Sequence, residues 1–198
     1  MFKNITAREV RDLVISFLVL SLAFSILFAN RDFSFVLQLL PIVMVGVGSS
    51  FIFHELAHKF VALHYGHWAE FEMWIGGILL ALFSSFIGII IAAPGAVYID
   101  GYNISEKENG IISIAGAVVN IILALIFLVI GQFFISGTIL NVTCMLGFYI
   151  NSYLAAFNLI PFGPLDGAKV IQWSVPAWLI TIFVAGVLTY CAFTGMFF

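Results

Sequence analysis

Five stretches of mostly apolar residues, roughly 12–29, 34–62, 111–135, 139–160 and 176–197, are separated by short polar gaps. A helix needs about 20 such residues to cross the hydrocarbon of a bilayer. Backbone facing lipid must satisfy its hydrogen bonds internally, which leaves helices as the natural form for these runs. Composition agrees: 63% of the 198 residues are hydrophobic and 9% are charged, against about 25% charged in an ordinary soluble domain. The net charge of −3 is thinly spread, with no basic tract for nucleic acid and no acidic tail. Cys144 and Cys191 lie in separate apolar stretches and form no paired framework. The expectation is one compact membrane domain over 1–198. Lys3, Arg8 and Arg11 precede an apolar run that is long for a signal peptide and lacks a small-residue cleavage site, so it reads as a retained anchor.

A sixth apolar stretch, 75–93, decides the topology. If it does not cross, and the N-terminus is cytoplasmic, then Lys3, Arg8, Arg11, Lys59, Lys107 and Lys169 fall inside and only Arg31 outside. If it crosses, Lys107 and Lys169 move outside and the bias nearly vanishes. The positive-inside rule favours a segment that enters and returns on one side. Such backbone must be buried in protein or line a cavity. Its flanks, 69–74 (AEFEMW) and 95–99 (GAVYI), read as strands able to pair around the excursion. The expected fold is therefore an all-α polytopic membrane protein, with about five spanning helices plus a re-entrant apolar segment flanked by a short β-hairpin.

Within the second apolar run lies FIFHELAHKF, residues 51–60. His54 and His58, four apart, share one helix face. Glu55, about 100° round, can still reach the same centre. His-Glu-x-x-His on a helix is a zinc-hydrolase arrangement, in which the imidazoles hold Zn²⁺ and the glutamate moves the proton of the attacking water. An ionisable residue inside a membrane is disfavoured by about 2.5–3.5 kcal/mol on insertion scales, so its presence points to function. Gly46 and Ser50 continue the same i, i+4 row, and their small size either leaves room beside the metal or lets helices pack closely.

A catalytic zinc usually has three protein ligands. The remaining carboxylates near apolar segments are Asp12, Asp32, Glu70, Glu72, Asp100, Glu106, Glu108 and Asp166. Asp166 is the penultimate residue of NLIPFGPLDG, residues 158–167, where two prolines break a membrane helix. With 75–93 re-entrant, Asp166 arrives on the same side as the two histidines; with 75–93 spanning, it arrives on the opposite side. His64 and His67 leave the helix face and are poor third ligands. Trp68, Trp74, Trp173 and Trp178 suit an interfacial belt, and Asn141 and Asn151 suit hydrogen bonds between helices.

HELAH together with NLIPFGPLDG resembles the site-2 protease family of intramembrane zinc metalloproteases. The family pattern pairs HExxH with a later N-x-x-P-x-x-x-x-D-G, matched here by Asn158, Pro161, Asp166 and Gly167. The resemblance covers roughly 34–170. It implies that His54, His58 and Asp166 ligate one Zn²⁺ per chain, that Glu55 is the catalytic acid/base, and that Asn158 contacts the substrate carbonyl or oxyanion. The family's G-P-x-x-N-like element reads Gly116-Ala117-Val118-Val119-Asn120 here, with alanine in place of proline, which leaves Asn120 as a helix-contact residue. A β-hairpin after the HExxH helix corresponds to 69–75 and 95–101. Neither a PDZ nor a CBS domain is present in the sequence.

The resulting expectation is regulated intramembrane proteolysis of a transmembrane protein substrate, in the cell membrane, with the N-terminus and site opening cytoplasmic. A substrate helix must unwind to expose its carbonyls, and the strand at 69–75 is the expected edge for it to join. The alternatives are an idle zinc-binding membrane scaffold, for which Glu55 has no use, and a metal-ion transporter, which would show an internal repeat and polar residues on both sides of the midplane. Oligomeric state is not legible.

Overall fold

The chain, seen in a computed structural model that describes residues 5–100 and 104–198, is ordered as α1 (Ala7–Phe28), α2 (Phe33–Val47), a π-helical segment (Gly48–Ile52), α3 (Phe53–His64), β1 (Trp68–Met73), α4 (Ile75–Phe86), β2 (Gly95–Asp100), α5 (Glu106–Gly131), α6 (Ile139–Asn158), α7 (Asp166–Trp173) and α8 (Val175–Thr194). Lys3 and residue 101 of the expected second strand lie outside the described residues.

Most of the long helices start where a polar side chain can take an unpaired backbone N–H. Thr6 accepts from Glu9 N at 3.1 Å, Asp32 from Ser34 N at 3.0 Å and Thr138 from Asn141 N at 3.3 Å. Ser105 and Glu108 form a reciprocal capping box at the start of α5. Among the described residues, five helices are long and apolar enough to cross a membrane: α1, the continuous Phe33–His64, α5, α6 and α8. These match the five runs expected. Two features were not expected: the π-helical segment in the second run, and the short helix α7 in the gap after Pro161.

α1, α2 and α6 pack through Leu20, Phe24, Val43, Val47, Ile150 and Leu154, all buried. α5, α6 and α8 meet through Ala117, Ala155 and Ala185, small side chains that let helix backbones approach without a water-driven force, with Leu159 buried beside them just past the end of α6. Asn151 bridges α6 to the π-helical segment through Ser49 Oγ at 3.4 Å, and Asn141 reaches back to Gly131 O at 3.4 Å.

The two strands are antiparallel, with Trp68 opposite Asp100 and Met73 opposite Gly95. Residues 75–94 therefore leave and return at the same end of the bundle, as the charge distribution anticipated. At the far end the Phe86 ring meets Phe33, and the chain reverses at Gly88, φ +91°, beside the Arg31 guanidinium. The returning backbone is not helical, and several of its polar groups are met by protein. Ile91 N donates to Ser84 Oγ at 3.0 Å, and the Tyr153 hydroxyl donates to Ile90 O. Those bonds meet the demand that irregular backbone at membrane depth be satisfied internally.

The edge of the hairpin differs from expectation. β1 is not open: the outward amides of Phe71 and Met73 donate to Glu9 Oε1 at 3.2 Å and Asp12 Oδ2 at 3.4 Å, both on α1. In an antiparallel pair, residues that point their N–H outward lie opposite residues that do the same. Phe71 faces Val97 and Met73 faces Gly95, so the outward groups of Gly95 and Val97 form the sheet's other edge, on β2.

Candidate metal centre

α3 follows the π-helical segment directly and carries His54, Glu55 and His58, all buried. Gly46 does not share their surroundings. A Cβ at Gly46 would come within 2.7 Å of Ile150 Cδ1, so this glycine lets α2 approach α6. The wider π turn between Gly46 and His54 breaks the i, i+4 row, and Ser50 only returns its hydroxyl to Val47 O at 3.4 Å. Room beside the imidazoles comes from Gly116 of α5. A Cβ there would lie 2.6 Å from both His54 Cε1 and His58 Nε2.

Asp166 joins from the far side of the sequence. It opens α7 just after the proline-broken end of α6. Gly167 sits so close to the Leu159 carbonyl that a Cβ would overlap it, and the Trp178 indole N–H donates to that same carbonyl at 2.8 Å. These contacts fix the turn that presents the carboxylate. Asp166 Oδ2 lies 3.3 Å from His54 Nε2 and 3.1 Å from His58 Nε2.

The outer ring nitrogens are tied as well. His58 Nδ1 donates to the Ile112 carbonyl at 2.7 Å, and His54 Nδ1 lies 3.0 Å from Asn120 Oδ1. With Nδ1–H committed to oxygen, each Nε2 presents a lone pair. Two lone pairs and a carboxylate oxygen then converge in a buried space, an arrangement that is repulsive unless a cation sits among them. Tetrahedral zinc with bonds of about 2.0–2.1 Å places neighbouring ligand atoms about 3.3 Å apart, close to the separations found. The residues present therefore fit the metal, and among the described residues His54, His58 and Asp166 are the group able to hold one. Asn120 is thus more than a helix-contact residue, and the Ile112 carbonyl is a partner that no side-chain motif could have indicated.

Several other carboxylates weighed as ligands are engaged elsewhere: Asp12 and Glu70 in α1–β1 contacts, Asp32 in the α2 cap and Glu108 in the α5 cap. Glu72 lines the cavity beside the triad but pairs with Arg8 at 3.1 Å. His67 lies 3.8 Å from Glu108, away from the triad.

A cavity of about 340 Å³ opens beside the triad, lined by Glu55, His58, Asn158, Asp166, Lys169 and the β2 residues 95–99. Asn158 donates one amide N–H to Leu154 O at 3.0 Å, leaving its second N–H available. Lys169 Nζ stands 3.8 Å from Asp166 Oδ1. A metal-holding cluster, a buried carboxylate, an amide and a strand edge thus meet in one space.

The chain is 41% identical over 174 residues to a Methanocaldococcus jannaschii protein named as a zinc metalloprotease, covering 87% of this chain and 88% of that one. The chain belongs to this family of zinc metalloproteases. A Bacillus subtilis protein named likewise is 30% identical over 168 residues, 74% of this chain and 75% of its own. A longer M. jannaschii zinc metalloprotease is 32% identical over 167 residues, 83% of this chain but 41% of its own. No family model and no solved structure matches the chain. Zinc is the cofactor that membership in this metalloprotease family implies, and the triad gives it three donors of the right kind.

Proposed function

We propose that this metalloprotease is an intramembrane enzyme of the site-2 protease type, hydrolysing peptide bonds of transmembrane proteins in regulated intramembrane proteolysis. One observation carries the reading: two of the three metal-holding side chains sit on Phe33–His64, a helix long and apolar enough to span a membrane. Arg8, Arg11, Lys59 and Lys169 gather at the hairpin end of the bundle and Arg31 at the other. That distribution supports a cytoplasmic N-terminus and a site opening to the cytoplasm, with the cell membrane as its location.

In this reading His54, His58 and Asp166 hold zinc. When bound, zinc supplies Lewis acidity and brings the pKa of its water to about 7. Glu55 takes the proton of the attacking water and passes it to the leaving amine. Asn158, with one N–H anchored to Leu154 O, turns the other toward the substrate carbonyl as its oxygen gains charge. Such a donor is worth about 2.7–4 kcal/mol in comparable sites. The β2 edge supports the presentation of an unwound substrate, because its outward backbone groups border the same cavity as Glu55. A strand added there leaves its carbonyls out of helical hydrogen bonds, as hydrolysis requires.

The test is cleavage of a single-span model substrate by zinc-loaded protein in detergent, with wild type beside Glu55→Gln. The expected result is one zinc per chain in both and a fall in cleavage of about 10²–10⁴ in the variant. Equal cleavage by the two would remove Glu55 from the mechanism and the reading with it.

A further inference from the structure

Buried charged groups that the proposed chemistry leaves unused cluster where the start of α1 meets α3 and β1. Glu9, Asp12 and Lys59 are 1%, 2% and 1% exposed. Glu9 has two tasks: Oε2 pairs with Lys59 Nζ, on the residue after His58, and Oε1 accepts from Phe71 N. One turn along, Asp12 accepts from Met73 N with Oδ2 and pairs with the exposed Arg11 through Oδ1 at 2.7 Å. Thr6 donates to Glu70 Oε1 at 2.5 Å, and Arg8 meets Glu72 at 3.1 Å. Every residue of β1 from Glu70 to Met73 is thereby tied to α1.

A buried ion pair is a poor source of stability, because an apolar pair of similar volume often does as well. What carboxylates add here is direction. Phe71 and Met73 are alternate residues, so their outward amides recur along one strand edge. Glu9 and Asp12, three apart on a helix, set acceptors against both. α1 stands in for the strand that would otherwise pair there, which closes β1 and leaves β2 as the edge beside the cavity. Because Glu9 also grips Lys59, the same brace fixes the hairpin against the helix that carries Glu55.

We propose that Glu9 and Asp12 are positioning residues of the protease site, holding β1 from its outer edge so that β2 meets the substrate strand in one register relative to Glu55. This rests on the reading of β2 as the edge that receives substrate.

Cleavage-site mapping tests it, since a purely structural contribution to stability does not choose the bond that is cut. The probe is a purified single-span peptide whose helix is interrupted by Asn-Pro, with products identified by mass spectrometry and zinc measured in each protein. Asp12→Asn keeps an oxygen for Met73 N, and Asp12→Leu removes it. The expected result is the wild-type bond for Asp12→Asn. Asp12→Leu, with zinc retained, should scatter cleavage to bonds about two residues away, the step that preserves strand facing, with kcat/KM down about 100-fold. If Asp12→Leu does not fold, Glu9→Gln/Lys59→Met against Glu9→Leu/Lys59→Met carries the test, since those two differ at residue 9 in the acceptor for Phe71 N. The same single bond cut at wild-type kcat/KM by the leucine variants overturns the proposal and leaves the protease reading intact. A zinc-loaded wild type that cuts no such peptide removes the protease reading, and this proposal falls with its premise.

Discussion

His54 Nδ1 stands 3.0 Å from Asn120 Oδ1, and Asn120 lies one helical turn beyond the glycine on which the imidazole rests. Loss of such an outer partner typically costs 10–100-fold in metal affinity, because the ring loses its tautomer and its aim. Asn120→Leu should weaken zinc binding by about that factor, read by competition with a chelator of known affinity. Asn120→Asp keeps an acceptor oxygen and should stay near wild type.

Gly116→Ala is expected to be worse. The added methyl would press on both imidazoles at 2.6 Å, and neither ring can retreat without giving up its bond to Asn120 or Ile112. Zinc content should fall well below one per chain, while helix content by circular dichroism stays unchanged, since alanine is the stronger helix former by about 0.8–1.0 kcal/mol.

Val97→Pro separates the two edges of the hairpin. The Val97 N–H points away from β1, as its opposite residue Phe71 donates to Glu9. Proline there removes an outward donor without cutting a ladder bond, a position where strands tolerate it. Cleavage of a single-span substrate should be lost with zinc retained. Full activity would exclude strand addition at β2.

The α5 cap predicts a stability effect. The Ser105 amide and hydroxyl donate to Glu108 Oε2 at 2.9 and 2.8 Å. Glu108→Ala removes both bonds and should lower the midpoint of thermal melts, whereas Glu108→Gln keeps an acceptor oxygen and should stay near wild type.

Much of the centre was legible because ionisable groups are rare in an apolar chain. His54, Glu55 and His58 stood out against lipid-compatible neighbours; a topology argued on charge put Asp166 on their side, and the family resemblance implied it as the third ligand. The brace on β1 was not legible. Asp12 could be noticed as a carboxylate near a membrane boundary and weighed as a ligand, but which strand edge faces α1 depends on tertiary packing. The π turn was hidden for a different reason: GSSFI suits either helix, and only the facing of Gly46 toward Ile150 separates them. α7 escaped because eight residues between proline-rich turns carry too little periodicity to be read.

Phe33–His64 is one 32-residue rod. At 1.5 Å per residue it reaches about 48 Å, against about 30 Å of hydrocarbon. The excess must be taken up by tilt or by protrusion. His54 sits ten residues from the end of this segment. On the intramembrane reading proposed above, the depth of the metal-holding side chains would follow the thickness of the surrounding lipid, and a substrate anchored in the same bilayer by its own flanks would meet Glu55 at a carbonyl set partly by acyl-chain length. Membrane thickness would then be a gauge of where the cut falls, acting beside the register of the strand.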